Sequence, residues 1–296
     1  MKVLLFGGEG QLGGEIIRRA QELSFEIVSP VSSEVSITDR EQLLFLAEKI
    51  QPDLVLNCAA YTAVDDAETH ESLAYDVNCQ GVRNCVEICK YHGARLIHIS
   101  TDYVFSGYAR EPLREDDSPI PLGVYGKSKL AGEEVVFSDL PNDATVVRTS
   151  SLHASRGQNF VNTMLRLFAE KSLIRVVSDQ IMCPTWAGWL SEVILDLSRI
   201  PPVGLVHACG AGAVSWFDFA CEIRSLLREE SLAEGLALEP ISAADYDRPA
   251  PRPEYSVLDC QKLVSILGRP CMTWREGLIR HLAELAVLKE GVLKES

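Results

Sequence analysis

Tyr125 and Lys129 stand four residues apart in Tyr125-Gly126-Lys127-Ser128-Lys129. On a helix that spacing puts two side chains on one face. An ammonium beside a phenol favours the phenolate and draws a tyrosine pKa down towards working pH. Such a pair can give a proton to a carbonyl as hydride arrives, with the lysine also free to hold a cofactor ribose. Lys127 falls off that face and is expected to be solvated. The spacing alone is a weak signal. It gains weight from Ile99-Ser100-Thr101-Asp102-Tyr103, where an apolar run ends on Thr101, whose hydroxyl could polarise the same carbonyl.

A second constellation opens the chain. Gly7-Gly8-Glu9-Gly10-Gln11-Leu12-Gly13 follows an apolar run and precedes a helical pattern. Gly7 permits a tight turn, Gly10 lets backbone N–H groups approach a pyrophosphate, and Gly13 allows close helix–sheet packing. The helix N-terminus adds partial positive charge. Dinucleotide binding is the expected role. The next strand ends Val28-Ser29-Pro30-Val31-Ser32-Ser33, with no acidic residue for the ribose hydroxyls and no Arg for a 2′-phosphate. Small serines leave room for that phosphate, so NADPH is expected, with NADH as the alternative.

These residues need a scaffold, and the pattern supplies one. Strands are predicted at Lys2–Phe6, Phe25–Ser29, Asp53–Cys58, Arg95–Ser100 and Thr145–Thr149. Helices are predicted at Leu12–Leu23, Arg40–Ile50, Ala74–His92 and Val124–Phe137. Strands alternating with helices imply βαβ units and a doubly wound parallel α/β sheet of the Rossmann type. After Ser150 the pattern is less regular. Helices are expected at Phe160–Lys171, Trp186–Ser198 and Trp216–Arg228, with strands at Ile174–Val177 and Leu205–Ala208. The expected organisation is a dinucleotide-binding domain over 1–150 with later contributions from about 174–212. A smaller, discontinuous substrate domain takes 151–173 and 213–296. Tyr246–Pro253, with three prolines and two arginines, reads as an extended loop.

The 296 residues are 47% hydrophobic and 24% charged, a globular composition. No apolar run approaches the roughly 20 residues of a membrane span, and the N-terminal apolar stretch is too short for a signal peptide. A net charge of -14 argues against nucleic-acid binding, which needs basic patches. Nine cysteines without zinc-type spacing read as reduced, mostly buried thiols in a cytoplasmic protein.

Several blocks together resemble the dTDP-4-dehydrorhamnose reductases, within the extended short-chain dehydrogenases. They are Gly10-Gln11-Leu12-Gly13, Asn57-Cys58-Ala59-Ala60-Tyr61-Thr62-Ala63-Val64-Asp65, Ser100-Thr101-Asp102-Tyr103-Val104-Phe105 and Tyr125-Gly126-Lys127-Ser128-Lys129. Arg148-Thr149-Ser150, Asn159-Phe160, Asp179-Gln180, Pro184-Thr185 and Arg252-Pro253 extend the match almost end to end. The resemblance implies catalysis by Thr101, Tyr125 and Lys129. It implies a cofactor lined by Gly10, Gln11, Leu12, Ala60, Tyr61 and Thr62, with Thr101 and Asp102 at the sugar. The implied reaction is NADPH-dependent reduction of the C4 ketone of dTDP-4-dehydro-L-rhamnose in cell-wall polysaccharide synthesis.

The departures are specific. Relatives commonly carry Thr-Ser-Trp after the fifth strand, and here Ser151 replaces that aromatic, with His153 nearby as a candidate substrate contact. Some members hold magnesium through glutamates at a dimer contact. Glu15 matches one of these, but Gly188 stands where another would be, which leaves that set incomplete. Arg248 and Arg252 could clamp a substrate diphosphate. His98 reads as a core histidine, the tryptophans as packing residues, and Asp65 and Asp66 as helix-capping or loop-orienting groups. Two alternatives stay open: a reductase of another nucleotide-linked 4-keto sugar, which the missing Trp favours, and a non-catalytic subunit similar to the regulatory subunit of methionine adenosyltransferase. The oligomer is expected to be a monomer or homodimer.

Overall fold

Alternating burial drives the first strand into a double-sided core. Val3 and Leu5 face one side and Leu4 and Phe6 the other, all buried. The computed structural model describes residues 1–21, 25–229 and 232–288. Residues 22 and 23, where the first helix was expected to end, and 289–296 of the expected second domain lie outside the described residues.

Strands β1 (Lys2–Phe6), β2 (Glu26–Val28), β3 (Leu54–Asn57), β4 (Arg95–Thr101), β5 (Ala144–Thr149) and β10 (Gly204–His207) form one sheet in the order β10-β5-β4-β3-β1-β2. Every pairing is parallel. Helices α1 (Gln11–Ala20) and α8 (Ala187–Leu197) pack together on one face, joining Leu12, Ile16, Trp189 and Val193 to Val3, Leu5 and Leu56. Helices α2 (Arg40–Ile50), α5 (Gly81–His92) and α6 (Val124–Asp139) cover the other, with Leu43, Val86 and Val136 against Leu4 and Phe6. This is the doubly wound sheet expected. The chain leaves β1 for β2 on one side and β3 on the other, so a crevice opens at the C-terminal strand ends, where such sheets bind ligands.

The helix expected over Ala74–His92 is broken into α4 (Glu71–Tyr75), a π turn (Asp76–Gln80) and α5. Short α3 (Val64–Ala67) precedes them. The second lobe combines α7 (Phe160–Glu170), α9 (Trp216–Ser225) and short strand pairs. These are β6 (Leu152–His153) with β9 (Thr185–Trp186), β8 (Ile181–Met182) with β11 (Val214–Ser215), and β7 (Leu173–Val177) with β12 (Ala237–Ile241). Its core joins Val161, Phe168, Ile174, Phe219, Leu278 and Leu282.

One boundary differs from expectation. The strand at 174–177 does not enter the large sheet, and the return to the first lobe begins near β9. In β7, Leu173 and Arg175 are exposed while Ile174 and Val176 are buried. That is a one-sided strand, whereas central parallel strands are buried on both faces. Helix α10 (Gln261–Leu267) packs on β10 and places Leu263 in the first lobe's core, and α11 (Trp274–Leu288) touches β9 and α8.

Candidate active site

The glycine loop is pressed against the end of β3. A Cβ on Gly7 (φ +82°) would lie 2.6 Å from the Ala59 nitrogen and the Cys58 carbonyl carbon, and one on Gly13 would lie 2.2 Å from the Gly7 oxygen. Such contacts exclude any side chain at either position, and they leave a backbone cradle opening on the N-terminus of α1. A dinucleotide pyrophosphate fits this cradle. Gln11 spans the two lobes: its Oε1 accepts from Asn159 Nδ2 at 2.9 Å and its Nε2 donates to the Gln158 carbonyl at 3.4 Å. A cavity of about 670 Å³ lies alongside, lined by Gly8, Glu9, Gly10, Gln11, Arg156 and Gly157 among others. Leu12, by contrast, points into the core and is 4% exposed.

Glu9 supplies something that inspection of the second strand did not anticipate. Its carboxylate accepts from the Ser32 N–H at 2.7 Å and the Ser32 hydroxyl at 2.8 Å. Those bonds hold its pKa below the usual carboxylate value. An acidic group therefore does stand beside the loop after β2, delivered from the glycine loop. The Ala60-Tyr61-Thr62 segment follows β3 and is clamped by Asn78 from the π turn. Asn78 Oδ1 accepts from the Tyr61 N–H at 2.9 Å, and its Nδ2 donates to the Tyr61 carbonyl at 3.1 Å and to Ser128 Oγ at 3.0 Å. Asn78 is fully buried. It was not singled out in the sequence, because its partners lie 17 and 50 residues away.

Thr101 ends β4 and accepts from the Tyr103 N–H at 3.2 Å, capping the 3₁₀ turn Asp102–Val104. Gly126 lets α6 lie on that turn, since a Cβ there would meet the Tyr103 carbonyl oxygen at 2.2 Å. Glu68 receives the Val124 N–H at 2.8 Å at the first turn of α6. The result brings Thr101, Tyr125 and Lys129 together. Thr101 lies beside Tyr125, and its hydroxyl donates to Asp102 Oδ1 at 3.1 Å. Tyr125 meets Tyr103 edge to face at 5.6 Å. Burial pushes the Tyr125 phenol up, and the neighbouring Thr101 hydroxyl opposes it. Lys129, 2% exposed, donates from Nζ to the Ile99 carbonyl at 2.7 Å. Burial lowers its pKa to about 8, against the pull of Glu133 and Cys58. The expected lowering of Tyr125 by Lys129 does not occur: desolvation dominates both groups. Lys127 is exposed, as its position predicted.

Asp102 is buried at 2% exposure and accepts from Ser150 Oγ at 2.8 Å, with Ser256 at the same small hollow. Burial nonetheless raises its pKa. Behind it, Arg148 and Glu133 form a buried ion pair at 2.6 Å, with Ser100 Oγ donating to Glu133.

On the substrate side, Asp65 organises the arginine loop. Arg252 reaches it bidentately at 3.0 and 2.9 Å, and Arg248 at 3.0 Å. The Arg252 hydrogen bond, foremost, holds Asp65 down at about 2. Both arginines therefore carry an internal partner, and Asp65 is an anchor for them rather than only a cap or loop-orienting group. They line a cavity of about 530 Å³ with Tyr103, Phe160, Gln180 and Trp216. Ser151 adopts φ +46° and shares a small hollow with Asp102, Gln180, Trp216 and Arg252. Trp216, expected to be a packing residue, is half-buried and lines both cavities. His153 does not face them. It is 1% exposed and stacks on His281, with Nδ1 atoms 2.8 Å apart, because α11 closes over β6 and β9 at that point. His98 is a core histidine bonded to Asn57 at 3.1 Å.

The donor set around Glu15 does not fit a cation. Glu15 is already paired with Arg18 at 2.5 Å and lies 3.8 Å from Arg19. Gly188 is packed against the Trp186 ring, 2.3 Å from a notional Cβ. Among the described residues no group of three His, Cys, Asp or Glu is placed to hold a metal, and no helix is long and apolar enough to cross a membrane.

The family model described as the RmlD substrate binding domain matches residues 1–287. The spore coat polysaccharide biosynthesis protein SpsK of Bacillus subtilis is 39% identical over 283 residues, covering 96% of this chain and 97% of that one. A dTDP-4-dehydrorhamnose reductase of Aggregatibacter actinomycetemcomitans is 36% identical, with 96% and 99% covered. The crystal structure of dTDP-4-dehydrorhamnose reductase from Bacillus anthracis in complex with NADP superposes with a TM-score of 0.90 at 36% identity, covering 96% of this chain and 99% of that one.

Proposed function

The chain belongs to the RmlD substrate-binding-domain family, and we propose that it reduces the C4 ketone of dTDP-4-dehydro-L-rhamnose to dTDP-L-rhamnose with NADPH. The observation that carries this reading is the convergence of Thr101 and Tyr125 one helical turn from the buried Lys129. When bound, the reduced nicotinamide supplies the hydride. Tyr125 stays protonated at neutral pH, because burial raises it, and gives that proton to the C4 oxygen. Thr101 orients the carbonyl through its hydroxyl. Lys129 holds a positive charge on the same helix face, which limits the cost of the phenolate that Tyr125 becomes.

In this reading the lobe built on the six-stranded sheet takes the cofactor at Gly7, Gly10, Gln11 and Gly13, and the second lobe takes the nucleotide sugar. Two guanidinium charges on Arg248 and Arg252 against the one carboxylate of Asp65 leave net positive charge at the cavity rim. That balance suits a diphosphate. We place the reaction in the cytoplasm, where nine unpaired thiols stay reduced.

The test is consumption of NADPH by the purified chain with dTDP-4-dehydro-L-rhamnose, and the configuration at C4 of the product by NMR. No turnover with any dTDP-linked 4-keto sugar would overturn the proposal. Ser151 supports a second reading, a different 4-keto sugar. A hydroxyl in the hollow that Asp102 and Trp216 also line favours a substrate more polar at that face. A panel of 4-keto nucleotide sugars ranked by kcat/KM distinguishes the two.

A further inference from the structure

Four of the nine cysteines converge away from the hydride site. They come from separate segments: Cys183 between β8 and β9, Cys209 after β10, Cys260 before α10 and Cys271 after it. Cys209 Sγ and Cys260 Sγ lie 3.5 Å apart. Cys183 lies near Cys209 and Cys271 near Cys260, so Cys260 has two thiols in its neighbourhood. Cys183 and Cys209 are buried, while Cys260 and Cys271 are half-buried.

We propose that Cys209 and Cys260 are an oxidisable dithiol, in which Cys260 meets a peroxide and Cys209 resolves it to a disulfide. Geometry carries the pairing. A disulfide needs the sulfurs at about 2.05 Å, so closing the 3.5 Å gap takes about 1.5 Å of movement. Side-chain rotation can supply much of that. Accessibility sets the order of attack, because Cys260 is the less buried member of the pair. Its neighbour points the same way. The Cys209 thiol, donating across the 3.5 Å contact, favours the Cys260 thiolate. Cys58, in contrast, is pushed up to about 12 by burial and stays a thiol.

The chemistry balances with a peroxide as the oxidant. The Cys260 thiolate attacks one peroxide oxygen, an S–O bond forms and the O–O bond breaks, and the departing oxygen leaves as water or an alcohol after taking a proton. Cys209 then loses its proton, and its sulfur attacks Cys260. The S–S bond forms, the S–O bond breaks, and hydroxide leaves as water. Two thiols are oxidised by two electrons and one peroxide is reduced. The bond would join the end of β10 to the segment that carries Ser256, which lines the same small hollow as Asp102. That segment is otherwise held by Ser256 N–H on the Ile181 carbonyl and Asp259 N–H on the Leu113 carbonyl.

The test uses the full-length, pre-reduced chain titrated with hydrogen peroxide, alkylated, and mapped by mass spectrometry without reduction. The expected result is a Cys209–Cys260 cross-linked peptide as the first product, reversed by dithiothreitol. Cys209→Ser should leave a dimedone-reactive sulfenic acid on Cys260, and Cys260→Ser should slow loss of the Cys209 thiol at least tenfold. Cys260→Ala, with a melting curve matching wild type, serves the same purpose if the serine variant does not fold. Earlier oxidation of Cys58 or Cys221, a Cys260–Cys271 bond as the first product, or unchanged Cys209 oxidation in the Cys260 variants overturns the proposal. The readout is chemical and does not depend on the reductase reading.

Discussion

Lys129→Met should stabilise the fold while abolishing turnover. Lys129 is 2% exposed, and its pKa falls from the ordinary 10.5 to about 8. At about 1.36 kcal/mol per unit, keeping it charged in the folded chain costs about 3.4 kcal/mol. Methionine removes that cost but strands the Ile99 carbonyl, whose lost partner costs about 1 kcal/mol. The net gain at pH 7.5 is therefore about 2 kcal/mol. The sign with pH follows from proton counting. Between pH 8 and 10.5 the unfolded lysine binds a proton that the folded one has released, so wild-type stability rises with pH. Relative to the Met variant, wild type recovers about 1.2 kcal/mol between pH 7.5 and 9. Urea unfolding of both chains at pH 7.5 and 9 measures the gap, in which titrations common to both cancel. A Met variant less stable than wild type at pH 7.5, or a gap that does not narrow at pH 9, would refute the argument.

Tyr125→Phe should lower turnover about 10²- to 10⁴-fold with NADPH affinity by fluorescence nearly unchanged; wild-type activity would remove Tyr125 as the proton donor. Glu9→Gln should tighten NADPH binding a few-fold and leave NADH unaffected, an effect that shrinks with added salt; equal changes for both cofactors would place the 2′-phosphate elsewhere. His281 is buried, and burial depresses its pKa to about 3, so the unfolded chain binds the extra proton as pH falls from 6.5. Stability should fall by about 2 kcal/mol at pH 5, and His281→Gln should flatten that slope in denaturant melts.

What could be read from the sequence was local. The glycine loop, the strand end at Thr101 and the Tyr125–Lys129 spacing each lie within a few residues, so periodicity and spacing expose them. The missed features are joined across the chain. Asp65 meets Arg252 across 187 positions, and His153 meets His281 across 128. Asn78 sits in a π turn, which a 3.6-residue period reads through as plain helix. Glu9 was passed over because the acidic residue was sought at the end of β2, whereas the glycine loop reaches it from the side. The β7 strand was assigned to the wrong sheet because a short apolar run does not reveal which edge it joins.

Burial also decides the direction in which the site works best. A phenol drawn down towards neutrality would be partly ionised at working pH and equally suited to taking a proton. Here desolvation raises Tyr125 and lowers Lys129, which moves each towards its neutral form. The Thr101 hydroxyl and the lysine on the next turn then act chiefly once charge develops on the phenol oxygen. Their contribution is therefore larger in the transition state than in the ground state, the condition under which an interaction raises kcat rather than only binding. A site poised with its proton in place favours reduction of a ketone over oxidation of an alcohol. Its pH–rate profile for reduction should hold through neutrality and fall on the alkaline side, as Lys129 loses its charge around pH 8.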